Sequence, residues 1–206
     1  MPLLTHLPAI FKDAFGQEVM RSCVIEALDW TPELKHEGLI CTFLSASLRR
    51  RGIQATREVT VNRRRYDINV NGQNVEAKYH VEGDLHEVIS SFAQDSKFRY
   101  DKRGWNSASK AIHDEINRDE PTWFLWLIAV RDYRAIQPFI YLRLIKKFYE
   151  KSGASSWSQA VVTASCLLDN EVLSAFQSRL NATVHKLPVI RGEHTALVSR
   201  LYRLTR

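Results

Sequence analysis

The sequence predicts an α/β (α+β) protein in which helices flank a central mixed β-sheet. Asn71-Gly72 is a strong β-hairpin signal, because a type I′ turn needs two residues that accept a positive φ angle. Pro121 to Val130 is a continuous apolar run bounded by charge, which is typical of a strand buried on both faces. An apolar stripe at helical spacing predicts one flanking helix: Ile40, Phe43, Leu44, Ser47 and Leu48.

The composition is that of a globular domain. Of 206 residues, 45% are hydrophobic and 25% are charged, so we expect a single domain spanning residues 1–206. No apolar run reaches about 18 residues, and the N-terminus lacks the regions of a signal peptide, so neither a membrane span nor secretion is expected. Three scattered cysteines are too few for a disulfide framework or a zinc site. These features predict a cytoplasmic protein.

Two helices are expected before the first strand. Phe15 to Leu28 is rich in apolar residues and predicts the first. The second is predicted from about Glu33 to Arg51, with Thr31 as its N-cap, Pro32 at its first position and Gly52 at its C-terminal end.

A three-stranded meander follows. Ile53 to Val61 predicts a strand, and Asn62-Arg63-Arg64 predicts the turn to the next. A two-residue loop at Asn71-Gly72 then sets the register: Val70 with Gln73, Asn69 with Asn74, Ile68 with Val75, Asp67 with Glu76 and Tyr66 with Ala77. Side chains alternate between the faces of a strand. The apolar face therefore holds Tyr66, Ile68, Val70, Val75, Ala77 and Tyr79, and the polar face holds Asp67, Asn69, Asn74, Glu76 and Lys78.

The polar face gathers three charged side chains. Asp67 and Glu76, directly opposite one another, would repel, and a divalent cation between them would remove that penalty. Carboxylate oxygens completed by water and substrate phosphate are what Mg²⁺ prefers. Lys78 lies on the same face, where it could orient or deprotonate a water or neutralise charge on a phosphate. The alternative is a solvated hairpin face whose charges carry no chemistry.

This arrangement resembles the PD-(D/E)xK nuclease superfamily, which has a restriction-endonuclease-like fold. The family motif places an Asp on one strand and Asp/Glu-x-Lys on the next, across a hairpin. Here the motif is Asp67 followed by Glu76-Ala77-Lys78. The residue before the Asp is Tyr66 rather than Pro. The resemblance covers Glu33 to Arg131, about half of the chain.

The resemblance implies a Mg²⁺-dependent nuclease in which Mn²⁺ can replace Mg²⁺. It implies that Asp67 and Glu76 hold the metal, that the backbone carbonyl of Ala77 joins them, and that Lys78 is the catalytic lysine. Members of the superfamily often add a Glu from the helix before the hairpin. Glu37 matches that role, because it extends the apolar stripe of its helix and a carboxylate pointing inward needs a partner. The alternative is that Glu37 is an acid at the solvent-exposed end of this stripe.

Basic residues flank the proposed site. The net charge of +6 favours a polyanionic partner, and arginine binds phosphate through two parallel hydrogen bonds. Two more cations, among aromatic residues that could stack on bases, follow on a later helix. Solvated faces and an ordinary helix end are the alternatives. The predicted DNA contacts are Arg49, Arg50, Arg51, Arg63, Arg64, Arg65, Lys97 and Arg99.

The remaining elements are predicted from local patterns, and the C-terminal third carries no readable motif. Asp84 with Glu87 has the spacing of a capping box and predicts the start of a helix. The C-terminal part from about 144 is expected to be mostly helical, and Arg200, Arg203 and Arg206 suggest a basic helix face in its tail. The other expected elements are a short helix from Ser107 to Asn117, a central strand from Pro121 to Val130, an edge strand from Ile136 to Leu144, and helices over Leu144–Lys151, Trp157–Leu168 and Val172–Leu180.

These features predict a metal-dependent endodeoxyribonuclease, with a core of about residues 31–131 and a C-terminal element of about 144–206. A restriction or phage-defence enzyme and a repair or junction-resolving nuclease would share the same residues. A non-catalytic DNA-binding protein on a degenerate nuclease fold and a nuclease acting on RNA are further alternatives. The expected partner is DNA, and a homodimer would allow both strands to be cut.

Overall fold

The computed structural model describes residues 7–30, 36–85, 108–119, 122–135 and 142–206. The first six elements are α1 (Leu7–Gly16), α2 (Glu18–Trp30), α3 (Glu37–Arg50), β1 (Ala55–Val61), β2 (Arg64–Val70) and β3 (Gln73–Val81). The next four are α4 (Ala108–Ile116), β4 (Trp123–Arg131), α5 (Leu142–Ser152) and α6 (Trp157–Leu167). The last five are a π-helical segment (Leu168–Val172), α7 (Leu173–Gln177), β5 (Asn181–Lys186), β6 (Ile190–Arg191) and β7 (Thr195–Thr205).

A mixed sheet with flanking helices confirms the predicted fold class. Its seven strands run in the order β1-β2-β3-β4-β7-β5, and β6 pairs with β7. β4 is parallel to β3 and antiparallel to β7. Its side chains enter two cores, with Phe124 and Trp126 packed on the side of α4–α7, and Leu125 and Leu127 on the side of α1–α3. Burial on both faces explains the continuous apolar run and confirms the predicted central strand.

The meander confirms the predicted hairpin. Val70–Gln73, Asn69–Asn74 and Ile68–Val75 are paired as expected, and Asn71 and Gly72 have φ angles of 49° and 82°. The turn between β1 and β2 is shorter than predicted. Val61 pairs with Arg64, so Asn62 and Arg63, with φ angles of 50° and 65°, form a two-residue turn and Arg64 belongs to β2.

The N-terminal helices differ from the prediction at their ends. The single helix predicted over Phe15–Leu28 is two helices, because helical structure is interrupted between Gly16 and Glu18. α3 begins at Glu37 with His36 as its N-cap, so the predicted start near Glu33 is wrong. The predicted cap Thr31 and first residue Pro32 lie outside the described residues. Its buried residues are Ile40, Cys41, Leu44, Ser45 and Leu48, whereas Phe43 and Ser47 are only partly buried.

In the C-terminal part, several predicted helices are confirmed, but one predicted helix is a strand. α4, α5 and α6 match their predictions closely. The tail predicted as a basic helix is instead β7, which pairs with β4 along its length. The strand predicted over Ile136–Leu144 is wrong at 142–144, which are helical, and its other residues lie outside the described ranges.

The helix after β3 begins earlier than predicted. Residues 82–85 are already helical, and the Asp84 carboxylate accepts the backbone N–H of Val81. Asp84 therefore caps the helix from its first turn rather than preceding it, because the carboxylate satisfies one of the N–H groups that a helix start leaves open. No helix within the described ranges is long and apolar enough to cross a membrane.

Candidate active site

The candidate site lies where β3 separates from β2. The two strands pair from Val70–Gln73 to Ile68–Val75, and from Val75 onwards β3 pairs with β4 on its other edge. The predicted backbone pairs Asp67–Glu76 and Tyr66–Ala77 are not part of this register. The end of this pairing leaves a gap between β2 and β3, here called the fork, in which side chains can bond to the backbone of β3.

Two carboxylates accept hydrogen bonds from backbone N–H groups along this edge. The Ala77 N–H donates to Asp67 Oδ2 at 2.7 Å. The Tyr79 N–H donates to Glu37 Oε2 at 3.0 Å. Each hydrogen bond satisfies a donor that would otherwise be unpaired at a strand edge, and each fixes a carboxylate in the fork. Glu37 thus reaches the site from α3, as predicted.

The Lys78 ammonium lies among the oxygens predicted to hold the metal. Its Nζ donates to Glu76 Oε1 and to the Ala77 carbonyl oxygen, both at 2.8 Å. Glu37 Oε1 is 4.0 Å from the same nitrogen. One positive charge therefore stands where oxygens from three residues converge.

The donor chemistry fits a hard divalent cation. Carboxylates of Glu37, Asp67 and Glu76 with the Ala77 carbonyl form an all-oxygen set, the ligand type of Mg²⁺ and Mn²⁺. Within the described ranges, no three His, Cys, Asp or Glu side chains are gathered closely enough to form a ready-made metal cluster. Lys78 donates to the oxygens of Glu76 and Ala77, so an ion held by the same oxygens would displace the ammonium from them.

Burial is the largest influence on the pKa values of the acids in the fork, and neighbouring charges modify it. Burial raises the pKa of Asp67, and the neighbouring Glu76 adds to the effect. Burial likewise raises the pKa of Glu37. Burial would also raise the pKa of Glu76, but Lys78 and Arg118 outweigh it and hold that pKa below its usual value.

Lys78 is a firmly protonated cation in this arrangement. Burial alone would lower its pKa, but the carboxylates of Glu76 and Glu37 outweigh burial and raise it. A protonated lysine donates hydrogen bonds and offsets negative charge but cannot accept a proton. Orienting a water and neutralising phosphate charge both fit this state. A divalent cation beside Lys78 would lower its pKa, so deprotonation of a water stays a prediction.

Two site residues were not found from the sequence. Arg118 Nη2 lies 3.1 Å from Glu76 Oε1 and 2.7 Å from Glu115 Oε1, so it bridges the two acids. Glu115 is 1% exposed, and burial raises its pKa to about 7. Its position four residues after the buried Ala111 was the available signal, since it places an acid on the apolar stripe of α4.

The predicted DNA-binding arginines occupy different environments. Arg49 and Arg50 are exposed at the end of α3, and Arg63 is exposed in the β1–β2 turn. The Arg64 guanidinium lies over the Tyr66 ring, 4.8 Å from its centre. The other two make ion pairs: Arg51 with Asp13, and Arg65 with Glu58. Lys97 and Arg99 lie outside the described residues.

Glu58 marks a local distortion beside the site. The pairs Arg57–Ile68 and Val59–Tyr66 place it opposite Asp67, and its φ angle is 53°. A left-handed φ is uncommon for a residue with a side chain and has an energetic cost. The Glu58 carboxylate is 2.7 Å from Arg65 rather than joining the acids of the fork.

No protein-family model, curated protein or solved structure matches this chain. The resemblance to PD-(D/E)xK nucleases therefore rests on the motif residues and their arrangement.

Proposed function

We propose that this chain is a Mg²⁺-dependent endonuclease of the PD-(D/E)xK type that hydrolyses phosphodiester bonds in DNA. The observation that carries the proposal is the convergence of Glu37, Asp67, Glu76 and Lys78 at the fork between β2 and β3. A restriction or phage-defence role is the favoured biological setting.

The burial of the three acids argues against a solvated hairpin face. Glu76 is 8% exposed, and burial raises the pKa values of Asp67 and Glu37. Water would stabilise charges on an open face without such shifts. Three acids held together against their mutual repulsion are typical of a functional site that receives a cation.

The residues of the fork suit phosphodiester hydrolysis. Asp67, Glu76, Glu37 and the Ala77 carbonyl would hold the ion, which when bound acidifies water and offsets charge on phosphate oxygens. Lys78, released from Glu76 and Ala77, would donate to a non-bridging phosphate oxygen as negative charge develops there. Arg118 would hold the Glu76 carboxylate in place through its 3.1 Å contact.

The surroundings fit this substrate. Arg49, Arg50 and Arg63 are exposed cations that would contact DNA phosphates without reading sequence. One such site cuts one strand, so cleavage of both strands needs a homodimer or two sequential events. The three cysteines are free thiols, which fits a reducing compartment such as the cytoplasm.

Plasmid cleavage tests the proposal. We expect the wild-type protein to nick or cut DNA with Mg²⁺ or Mn²⁺ and to be inactive with EDTA. Asp67→Asn and Lys78→Ala should each lower the rate by roughly a hundred-fold to a thousand-fold, because the first removes a ligand of the ion and the second removes a donor to the reacting phosphate. Glu193→Gln and Lys146→Ala, both at exposed positions, are matched controls that should cut normally.

The other outcomes identify the alternatives. Cleavage of branched DNA in preference to plasmid would indicate a repair or junction-resolving nuclease. Cleavage of RNA alone would replace DNA as the substrate. If every protein is inert on all three substrates yet still shifts DNA on a gel, the nuclease proposal is wrong and a non-catalytic DNA-binding protein takes its place.

A further inference from the structure

A second concave surface adjoins the fork on the side of α4. This pocket, of about 410 Å³, is lined by Val61, Asn62, Arg64, Asn117, Arg118 and Asp119. The end of β1, the β1–β2 turn and the start of β2 form one wall, and the residues after α4 form the other. Its volume lies in the range of ligand-binding sites.

The pocket shares Arg118 with the candidate active site. Arg118 Nη2 contacts Glu76 and Glu115, whereas its Nη1 is buried and has no hydrogen-bond partner among the described residues. The guanidinium therefore has one nitrogen that its two carboxylates do not use, and the guanidinium would turn to present it to a ligand in the pocket. The Arg206 guanidinium donates to the Arg118 backbone oxygen at 2.7 Å, which joins this wall of the pocket to the residue after β7.

A second guanidinium faces the same space from the opposite wall. Arg64 is held over the Tyr66 ring at 4.8 Å, a cation–π contact that restrains a flexible side chain. Asp119 is the acid of the lining, and it is exposed. The lining itself carries two guanidinium groups and one exposed carboxylate, while Glu76 and Glu115 contact Arg118 from the side of the fork. Guanidinium groups match phosphate geometry better than ammonium groups do.

We propose that this pocket binds a phosphate group of the nucleic-acid strand, next to the phosphate at the fork. The inference rests on the proposed nuclease function for the identity of its ligand. Phosphate held by Arg64 and Arg118 would place the strand across the fork, and Arg118 would couple that contact to the position of Glu76. Arg64 is thus a specific phosphate ligand, unlike its exposed neighbour Arg63.

Direct binding of inorganic phosphate in EDTA tests the pocket without requiring cleavage. We expect the Nε–H signals of Arg64 and Arg118 in NMR spectra to shift and saturate as phosphate is added. Arg64→Gln should weaken binding at least about ten-fold, because it removes one of two guanidinium ligands. Asp119→Asn should tighten it, and the matched control Arg179→Gln, at an exposed arginine outside the pocket, should leave it unchanged. Shifts that do not saturate, or equal effects of Arg64→Gln and Arg179→Gln, would overturn the proposal.

Oligonucleotides distinguish an internal phosphate from a terminal one. Arg64→Gln should reduce the slope of log affinity against log salt by about one, the effect of one lost phosphate contact. If the pocket takes a terminal phosphate, 5′-phosphorylated DNA binds more tightly than 5′-hydroxyl DNA, and Arg64→Gln abolishes the difference. If it takes an internal phosphate, the two DNAs bind equally and both lose affinity in the variant. An unchanged slope with both DNAs contradicts the pocket.

The two proposals can fail separately. Saturable phosphate binding lost in Arg64→Gln, in a protein that cleaves no nucleic acid, keeps the phosphate site and removes the nuclease function. Mg²⁺-dependent cleavage whose KM and salt dependence are unaffected by Arg64→Gln keeps the nuclease function and removes the pocket.

Discussion

The fork and a second ionic cluster elsewhere in the sheet have opposite charge balances. In the fork, the acids Glu37, Asp67 and Glu76 surround Lys78, and Arg118 approaches from one side. In the second cluster, the single acid Asp169 of the π-helical segment meets two cations. Arg200 of β7 binds both carboxylate oxygens, at 2.5 and 3.1 Å, and Lys186 of β5 lies 2.9 Å away.

The pKa shifts of the two clusters differ in the same sense. Burial would raise the pKa of Asp169, but its hydrogen bonds to Arg200 and Lys186 hold it below the usual value. The pKa values of Asp67 and Glu37 are raised instead. The Asp169 cluster is therefore complete as a structural ion pair. In the fork, burial outweighs the nearby cations of the described residues, Lys78 and, for Asp67, also Arg57. This contrast supports a role for the fork in binding an added cation.

The largest expected difference is in folding stability at the second cluster. Asp169→Ala leaves Arg200, which is 4% exposed, as a buried cation without its carboxylate. Breaking a buried pair in this way costs about 3–5 kcal/mol. Urea denaturation followed by circular dichroism should show this loss, with DNA cleavage per folded molecule unchanged.

A double variant sharpens this result. Replacing both partners, as in Asp169→Leu with Arg200→Met, removes the charge that Asp169→Ala leaves unpaired. Such replacement is often neutral or stabilising, so most of the loss should be recovered. A single variant that loses less than about 1 kcal/mol would show that the Asp169 cluster is not a structural ion pair.

Local patterns in the sequence predicted the fork better than its neighbours. Asn71-Gly72 fixed the hairpin register, because few residues accept two positive φ angles, and alternation then placed Asp67, Glu76 and Lys78 together. The Asn62-Arg63 turn has the same backbone conformation, but its sequence gives a weaker signal, so the turn was predicted one residue too long.

Contacts between distant segments could not be predicted in this way. The Arg118 bridge depends on how α4 packs against β3, and its hydrogen bond from Arg206 joins residues 88 positions apart. The tail differs from the prediction because β7 is covered on both faces, with Ala196 and Val198 in one core and Leu197 and Leu201 in the other, so it lacks the simple alternation of a half-exposed strand. Arginines at a spacing of three were then mistaken for a helix face.

The second prediction concerns stability at the fork in the absence of metal. Asp67→Asn keeps an oxygen to accept the Ala77 N–H but removes a charge from a negative site. We expect a gain of roughly 0.5–2 kcal/mol in EDTA at neutral pH. A raised pKa means that the folded state holds its proton more tightly, so the wild type loses stability as pH rises through the titration of Asp67. The gain should therefore be smaller in acid.

Glu76→Gln is the matched variant with the opposite expectation. The pKa of Glu76 is lowered by Lys78 and Arg118, so its ionised form stabilises the fold and its removal should reduce stability at neutral pH. Added Mg²⁺ should raise the Tm of the wild type and have less effect on either variant. Equal stability changes for Asp67→Asn and Glu76→Gln would contradict the proposed charge excess.

The smallest expected effect comes from the exposed cation of the second cluster. Lys186 is 69% exposed, and a solvent-exposed ion pair contributes about 0–1 kcal/mol because water and salt screen it. Lys186→Ala should therefore leave the free energy of unfolding nearly unchanged, since Arg200 still binds both Asp169 oxygens. Any difference from the wild type should disappear at high salt. A loss comparable to that of Asp169→Ala would mean that Asp169 needs both cations. The stability of the Asp169 cluster would then depend on its full set of charges, as that of the fork does. Charge alone would no longer distinguish the fork as a cation-binding site.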